Sequence, residues 1–159
     1  MTAAPTPDFK PADADFAARV RGSFAQQAAM TLIGAELVEV GPGRIVMTLA
    51  HSERVTQQHG FIHAGIVSTA LDSACGYAAA TLMPADAGVL TIEFKVNLLA
   101  PARGPLLRLV GTVVKAGRTI SVVEGRALQP HPKRPGEDQV VATMTATMMT
   151  VTGRDDVRH

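Results

Sequence analysis

Cysteine, aromatic side chains and net charge are all scarce in this sequence. A single Cys among 159 residues excludes an internal disulfide and a cysteine-based metal cluster, and it is typical of a reducing cytosol. Aromatic residues make up 4%, with no Trp, so the chain lacks the stacking rings of single-stranded nucleic-acid platforms. Its net charge of +1 excludes a broad cationic surface for nucleic acid or anionic lipid. We therefore expect a cytoplasmic protein with no nucleic-acid, membrane or metal partner.

Long apolar runs are missing as well. No stretch of about 18 uninterrupted apolar residues could form a membrane span. Met1 to Lys10 lacks the basic region and apolar run of a secretory signal. Hydrophobic residues nevertheless make up 47% of the chain against 18% charged, which is typical of a packed core. The composition predicts one globular domain over residues 16–152, with a flexible N-terminal arm over 1–15 and a flexible tail over 153–159.

Hydrophobic periodicity predicts helices at two places. The apolar spacing of Phe16–Met30 is helical, with Gly22 as a weak point, and predicts one helix or two short ones. Such a segment either covers a pocket as a lid or packs on the domain edge, and its ordinary amphipathic pattern favours the edge. Ala64–Met83 is small or apolar apart from Asp72, which is typical of a core helix, about 30 Å long and ended by Pro84.

Six runs are rich in β-branched or alternating apolar residues and predict strands. They cover residues 35–40, 44–50, 90–98, 106–114, 119–128 and 140–151. In the third run, strict alternation places Thr91 on one face and an apolar set on the other, namely Leu90, Ile92, Phe94, Val96 and Leu98. The order is a hairpin, the long helix and then an antiparallel meander. We expect an α+β fold in which a curved antiparallel sheet of five to six strands wraps the helix, with a paired subunit covering what the sheet leaves bare.

Asp72 is the one charged residue of the predicted core helix. A buried carboxylate costs several kcal/mol unless it is paired, hydrogen-bonded or protonated, and no Lys or Arg lies within a helical turn of it. It is either a structural carboxylate, bonded to a neighbouring strand or to Ser68 or Ser73, or a functional acid, since perturbed acids cluster at active sites. The residues alone leave both interpretations open.

The predicted helix begins at Ala64 and Gly65, about eight residues before Asp72. The first N–H groups of a helix lack internal acceptors and carry partial positive charge, so they can stabilise a developing oxyanion. The preceding loop contributes Gln57 and His63. A carboxylate, an amide side chain and free backbone donors near one helix end could together hydrolyse an acyl compound. The alternative for His63 is a loop histidine bonded to a backbone carbonyl.

Other catalytic patterns are badly spaced or missing. His59 and His63 are four residues apart but lack the Glu of a zinc protease, and no G-x-S-x-G elbow or phosphate loop occurs. Cys75 lies inside the apolar helix and indicates core packing and not a nucleophile.

Several of these residues together resemble the hotdog-fold acyl-CoA thioesterases of the PaaI type, the phenylacetate-degradation family. The matching pieces are residues 57–65 (QQHGFIHAG), Leu71-Asp72, 91–94 (TIEF), 98–102 (LLAPA) and Gly117-Arg118. The chain departs from the family pattern at two positions. It has Ala64 where the family has Gly, which keeps the backbone N–H, and Gln57 where the family has Asn. Thr91 stands where the family has Ser or Thr.

The resemblance implies a hotdog fold and a shared active site. The family forms homodimers whose sheets join edge to edge, often paired again into homotetramers. Its active sites lie at the dimer interface, which would place Asp72 of one subunit against the Gln57 and Gly65 region of the other.

The resemblance also implies hydrolysis of an acyl-CoA to the free acid and CoA, without a separate cofactor, because coenzyme A is part of the substrate. The amides of Ala64 and Gly65 would bind the oxyanion, and Asp72 would act as general base or as nucleophile. The side chains that would orient water or the carboxylate, hold the loop or contact the thioester are Gln57, Thr91 and His63.

Coenzyme A carries phosphates, and the family binds the nucleotide end at turns beside the strands. The candidate contacts there, otherwise ordinary solvated turn residues, are Arg103, Lys115, Gly117 and Arg118. Two other functions stay open. One is a hotdog enoyl-CoA hydratase or dehydratase, in which His63 would join the helix acid in catalysis, and the other is a non-catalytic acyl-CoA-binding module. The sequence does not fix the acyl group, and aromatic and medium-chain acyl groups both stay open.

Overall fold

The computed structural model describes residues 8–157. Its helices are α1 (Phe16–Ala25), α2 (Ala28–Ile33) and α3 (Ala64–Ala80), with a 3-10 turn at Glu53–Val55. Its strands are β1 (Ala35–Gly41), β2 (Arg44–Ala50), β3 (Gly88–Leu98), β4 (Leu106–Lys115), β5 (Ile120–Pro130) and β6 (Asp138–Val151). All six predicted strands are present, with ends that differ from the predicted ones by about two residues at most, within the usual uncertainty of strand ends.

The strands form one antiparallel sheet in the order β1-β2-β4-β5-β6-β3. The predicted meander is correct for β4, β5 and β6 but wrong for β3, which pairs with β6 at the far edge and not with β4. The reason lies in α3, which packs against every strand of the sheet and so carries the chain across it before β3 begins. The result is the expected α+β arrangement of a long helix wrapped by a sheet, with β1 and β3 at its edges.

The end of α3 differs from the prediction for a local reason. The helix ends at Ala80 and not at Met83. The Thr81 hydroxyl donates to the Ala78 carbonyl at 2.7 Å and accepts from the Gly43 N–H at 2.8 Å. Threonine side chains compete with helix geometry in this way, so the chain leaves the helix at Thr81. Over residues 8–157, no helix has both the length and the hydropathy needed to cross a bilayer.

The first helical segment is two helices that meet at Gln26 and Gln27. Gly22, the weak point of the predicted segment, lies inside α1, and Gln27 adopts extended backbone angles between the helices. Val20 of α1 and Met30 of α2 are fully or almost fully buried in the core. The two helices therefore pack on the domain edge, as the amphipathic pattern favoured. The joint between them is held in place because each helix buries a side chain in the core.

Contact between α3 and the sheet depends on two glycines. Gly111 on β4 and Gly125 on β5 face each other across the strand pair. A Cβ atom at Gly111 would lie 2.3 Å from the Ala74 carbonyl oxygen, and one at Gly125 would lie 2.9 Å from the Cys75 sulfur. The helix backbone therefore lies directly on the sheet, closer than any side chain would allow.

We expect Gly111→Ala to destabilise the protein by about 2 kcal/mol or more, because the new methyl group overlaps backbone atoms that cannot move without shifting α3. Urea denaturation at fixed protein concentration measures the loss. Gly22→Ala is the matched control, since its Cβ would meet nothing within 4 Å and the change should be neutral or slightly stabilising. Equal stability of the two variants would contradict the close packing.

Residues near both ends contact the domain. Phe9 packs against the core beside Gly43, where a Cβ atom would lie 2.6 Å from the ring. Asp13 forms an ion pair with Arg19 at 2.8 Å. Val157 lies against Gly88 in the same way. The flexible arm over 1–15 and the flexible tail over 153–159 stay predictions. Residues 1–7 and 158–159 lie outside the described part of the chain.

Candidate functional site

Asp72 occupies the middle of α3 and faces β3. Its Oδ1 accepts a hydrogen bond from the Thr91 hydroxyl at 2.8 Å. Among residues 8–157 no ion pair involves Asp72, and its Oδ2 has no hydrogen-bond partner. Ser68 and Ser73 donate elsewhere, to the Ala64 carbonyl and to Gln27. Asp72 thus makes the hydrogen bond to a neighbouring strand that a purely structural carboxylate was predicted to make. Its second carboxylate oxygen nevertheless stays available for chemistry.

Burial raises the pKa of Asp72, and the hydrogen bond from Thr91 opposes that shift. The carboxyl is half-buried, so solvent reaches part of it. An acid with a raised pKa and an open oxygen binds a proton more readily than a surface Asp. The local electrostatics therefore suit a general base or a nucleophile.

A β-bulge places Thr91 beside Asp72. The pairing of β3 with β6 shifts register between Thr91 and Glu93, so that Thr91 lies opposite Met148 and Phe94 lies opposite Ala146. Met148 and Ala146 are both buried on the helix side of β6. Because directly opposite residues share a face, Thr91 and Phe94 both face α3. The predicted strict alternation, which set Thr91 opposite to Phe94, is wrong for this reason.

The Asp72 carboxyl borders a cavity of about 230 Å³ between α3, β3 and the joint of α1 and α2. Its other walls include Gln27, Ser73, Gly76, Leu90 and Thr91. Gln27 was not recognised as a site candidate from the sequence. The α1–α2 segment thus contributes to this cavity as well as packing on the edge.

The start of α3 has one free amide where two were predicted. The Gly65 N–H donates to His63 Nδ1 at 2.9 Å, so the histidine caps the helix. The N–H groups of Ile66 and Val67 donate to the His63 carbonyl. Within the described residues, only the Ala64 N–H of this turn has no acceptor. The Gly65 N–H is therefore already bonded while the Ala64 N–H is open, and His63 bonds to an amide N–H instead of a carbonyl.

The loop before α3 is held by side chains. Gln57 Oε1 accepts from the His59 N–H, and the Gln57 backbone bonds to Phe61 at 2.8 Å and to Gly60 at 2.9 Å. His51, which the sequence did not single out, places its Nε2 2.8 Å from the Gly60 carbonyl oxygen. That carbonyl stands four residues before Ala64 and is the acceptor that one more helical turn would use. His51 therefore helps to hold the loop at Gly60, just before the start of α3.

A second cavity, of about 530 Å³, opens beside this loop. It is bordered by Gln57, His63, Ala64 and the chain from Leu98 to Ala102. The far wall is fixed by Gln129, a buried amide that the sequence also did not single out. Gln129 Oε1 accepts from the N–H groups of Arg103 and Gly104, and Gln129 Nε2 donates to the Pro101 carbonyl. Buried, fully bonded Gln129 thus sets the shape of this wall.

The two cavities share no residue, so one chain does not bring all the predicted catalytic residues together. The structure joins Asp72 with Thr91 in one cluster, and Gln57, His63, Ala64 and Gly65 in the other. Eight helical residues separate Ala64 from Asp72, about 12 Å along the axis of α3. A thioester carbonyl cannot contact both at once within one chain.

The predicted CoA contacts also fall into two places. The Arg103 guanidinium lies over the Phe61 ring at 4.7 Å, near the larger cavity. Lys115, Gly117 and Arg118 lie at the β4–β5 turn, where Gly117 and Arg118 border a small cavity beside the end of α3. The length of β4, about 30 Å, separates the two groups. Within one chain they cannot share one nucleotide.

Two further predictions were that Cys75 packs in the core and is not a nucleophile, and that the protein binds no metal. Burial raises the pKa of the Cys75 thiol to about 12, so it stays protonated and packs in the core. Over residues 8–157, no group of three or more His, Cys, Asp or Glu side chains is placed to hold a metal ion.

The comparisons with known proteins agree with this architecture. The Thioesterase superfamily model matches residues 59–135. A protein of Halobacterium salinarum that carries an esterase name is 30% identical over 136 residues, which is 82% of this chain and 89% of the relative. A 1,4-dihydroxy-2-naphthoyl-CoA hydrolase of Listeria monocytogenes is 29% identical over 58% of this chain and 75% of the relative.

Solved structures give the same result. A thioesterase family protein from Silicibacter pomeroyi is 49% identical, with a TM-score of 0.82 over 87% of this chain and 99% of that one. The E. coli PaaI protein of the phenylacetic acid degradation operon is 15% identical with a TM-score of 0.74, over 87% of this chain and 95% of that one, which shows the fold alone. The chain belongs to the thioesterase superfamily and has its hotdog fold.

Proposed function

We propose that this protein hydrolyses an acyl-CoA thioester to the free acid and CoA. The observation that carries the proposal is the Asp72 carboxyl, which has one free oxygen, a Thr91 hydrogen bond and no cationic partner in the described chain, and which opens on a cavity. The family membership supports hydrolysis of a thioester, and the Listeria relative supports CoA as the thiol, since its name describes hydrolysis of a CoA thioester.

We propose that the active site forms between two subunits. The strand β3 is an edge strand of 11 residues that exposes an apolar set, namely Leu90, Ile92, Phe94 and Leu98. A long apolar edge is a template for pairing with another chain. Pairing β3 with its copy about a twofold axis would bring Asp72 of one subunit toward Ala64 of the other. A monomeric mass by light scattering at micromolar concentration would contradict this assembly, and a mass of four chains would support the homotetramer.

In the proposed reaction, the thioester carbonyl accepts the Ala64 N–H, which stabilises the tetrahedral oxyanion. Asp72 either takes a proton from the attacking water or attacks the carbonyl itself, giving a mixed anhydride that water then opens. In both cases the C–S bond breaks and the thiolate leaves with a proton. Water adds its oxygen to the acyl carbon in the first route and to one of the two anhydride carbonyls in the second, which releases the acid and restores Asp72. Thr91 orients Asp72, and His63 fixes the start of α3. Gln57 Nε2, which has no hydrogen-bond partner among residues 8–157, orients water. The reaction uses only side chains, backbone and water, with CoA as part of the substrate.

Release of free thiol, followed with a colorimetric reagent over aromatic and medium-chain acyl-CoAs, tests the proposal. Hydrolysis supports it. A change in enoyl absorbance without thiol release would instead identify a hydratase or dehydratase, and binding without turnover would identify a binding module. Phenylacetyl-CoA in the panel tests a role in phenylacetate degradation. A cytoplasmic location, where CoA esters are made and used, is part of the proposal.

We expect Arg103→Ala to raise KM for acyl-CoA about three- to tenfold. The reason is that Arg103 lies over the ring of Phe61, which lines the larger cavity, so its guanidinium can meet a phosphate of the CoA arm that leaves that cavity. The KM for an acyl thioester of N-acetylcysteamine, which lacks the nucleotide, should not change. Steady-state kinetics of both substrates measure the difference.

Arg118→Ala is the comparison for Arg103→Ala. A rise in KM for this variant would place the β4–β5 turn, which also carries Lys115 and Gly117, against CoA. That CoA would be bound in the pocket of another subunit, because the length of β4 separates the turn from the larger cavity of its own chain. Unchanged KM values in both variants would remove Arg103 and Arg118 from CoA binding.

A further inference from the structure

Gln27, at the joint of α1 and α2, has an unused hydrogen-bond donor at the Asp72 cavity. Its Oε1 accepts from the Ser73 hydroxyl at 3.2 Å, which fixes the amide beside the residue that follows Asp72. Within residues 8–157, its Nε2 has no hydrogen-bond partner. Gln27 is half-buried and borders the cavity. A held amide with a free N–H₂ group at a cavity wall is suited to bind an acceptor that a ligand brings.

The cavity beside Gln27 is the place for an acyl group, and this step depends on the proposed function. The thioester carbonyl must lie between Asp72 of one subunit and Ala64 of the other. The larger cavity, with Arg103 near it, lies on the Ala64 side and takes the CoA arm. The acyl group then extends to the opposite side of the carbonyl, into the Asp72 cavity. Gly76, one turn after Asp72, leaves room there, since even a Cβ atom would only reach Val89 at 3.9 Å.

We propose that Gln27 selects acyl groups that carry a hydrogen-bond-accepting oxygen, a hydroxyl or an oxo group, a few atoms beyond the thioester carbonyl. The remaining walls of the cavity include apolar or bare surfaces at Gly76, Val89 and Leu90. An unsubstituted acyl chain would cover the Gln27 N–H₂ group and leave it without water or partner, which costs binding energy. An acyl oxygen in the same place satisfies it. Gln27 is thus a specificity-determining residue and takes no part in bond breaking.

Matched substrates and variants test this inference. The substrates are hexanoyl-CoA and its derivatives with one hydroxyl at carbon 3 or 6, because a hydroxyl at carbon 4 or 5 would form a lactone and release CoA without the enzyme. We expect wild-type kcat/KM to be about three- to tenfold higher for at least one hydroxylated substrate than for hexanoyl-CoA, the gain of one hydrogen bond. Gln27→Leu should lose that preference because its kcat/KM falls for the hydroxylated substrate alone. Its kcat/KM for hexanoyl-CoA should be unchanged or higher. Gln26→Leu is the control, because the Gln26 side chain bonds to the Gly22 carbonyl of its own helix and does not border the Asp72 cavity.

Binding separates a failure of this inference from a failure of the proposed function. Thioether analogues of the same acyl-CoAs cannot be hydrolysed, and calorimetric titration gives their affinities. If the enzyme hydrolyses acyl-CoA but neither kcat/KM nor affinity prefers a hydroxylated chain, or if Gln27→Leu keeps the preference, the role of Gln27 is refuted and the hydrolase stands. If no acyl-CoA is hydrolysed but the hydroxylated analogue binds more tightly to the wild type and not to Gln27→Leu, the hydrolase is refuted and Gln27 stands.

Discussion

Asp72→Asn is expected to lower kcat by about a hundredfold or more, the usual contribution of a positioned base or nucleophile. Asn has nearly the same shape as Asp and can still accept the Thr91 hydrogen bond, so the cavity should keep its form. What it lacks is the anionic oxygen that takes the proton or attacks the carbonyl. Thiol release under saturating acyl-CoA measures the loss, and an unaltered kcat would remove Asp72 from the mechanism.

The same variant should not be less stable at neutral pH. Burial raises the pKa of Asp72 in the folded protein above its unfolded value. Because the pKa is higher in the folded state, Asp72 contributes most to the free energy of unfolding at low pH, where its carboxyl is protonated. That contribution is lost as the pH rises through the folded pKa. Ionised Asp72 therefore destabilises the fold at pH 7, and Asp72→Asn should melt at the same or a higher temperature. A marked fall in melting temperature would mean that the lost activity reflects unfolding.

The raised pKa also sets the acid limb of the activity profile. Because the ionised carboxylate is the active form, kcat/KM should fall as the pH drops through a midpoint above the ordinary range for Asp. Thr91 lowers that pKa through its hydrogen bond, so Thr91→Val should move the midpoint to higher pH, while Thr91→Ser keeps the hydroxyl and the wild-type midpoint.

Local signals in the sequence predicted most of the fold. Strand ends, the core helix and its starting residues follow from alternation, apolar content and turn residues, which depend on near neighbours along the chain. The position of β3 could not be predicted this way, because the crossing of α3 over the sheet decides it. The bulge that turns Thr91 toward Asp72 is likewise fixed by pairing with β6 and leaves no mark in the alternation.

The sequence could suggest residue types for the candidate site, but it could not give the hydrogen bonds that the structure shows among them. Asp72 could be singled out because a lone acid in an apolar helix is costly. The cap formed by His63 could not, since Ser, Thr, Asp and Asn are the usual caps and histidine gives no such signal. His51 contacts the loop at the Gly60 carbonyl, and Gln129 makes three hydrogen bonds to the backbone around Ala102, which is distant in sequence. Sequence spacing does not report such contacts.

Ala64→Pro is expected to lower kcat by about a hundredfold, since it removes the one free N–H at the start of α3 and little else. Proline is favoured at the first position of a helix, where its fixed φ and missing N–H cause no loss. The preceding His63 has φ −60° and ψ 138°, the extended conformation that a residue before proline adopts. Ala64→Ser keeps the N–H at similar size and should keep kcat within about threefold of wild type, with both variants melting near the wild-type temperature.

Mixing the two inactive variants tests whether Asp72 and Ala64 meet across subunits. A heterodimer of an Asp72→Asn chain with an Ala64→Pro chain has one site with both changes and one site with neither. Half of randomly mixed dimers are of this kind, so refolding an equal mixture should recover about a quarter of wild-type activity. If both residues acted within one chain, every site would carry one change and the mixture would stay inactive. Recovery on mixing, with neither variant active alone, would place the Asp72 oxygen of one subunit at the thioester held by the Ala64 amide of the other.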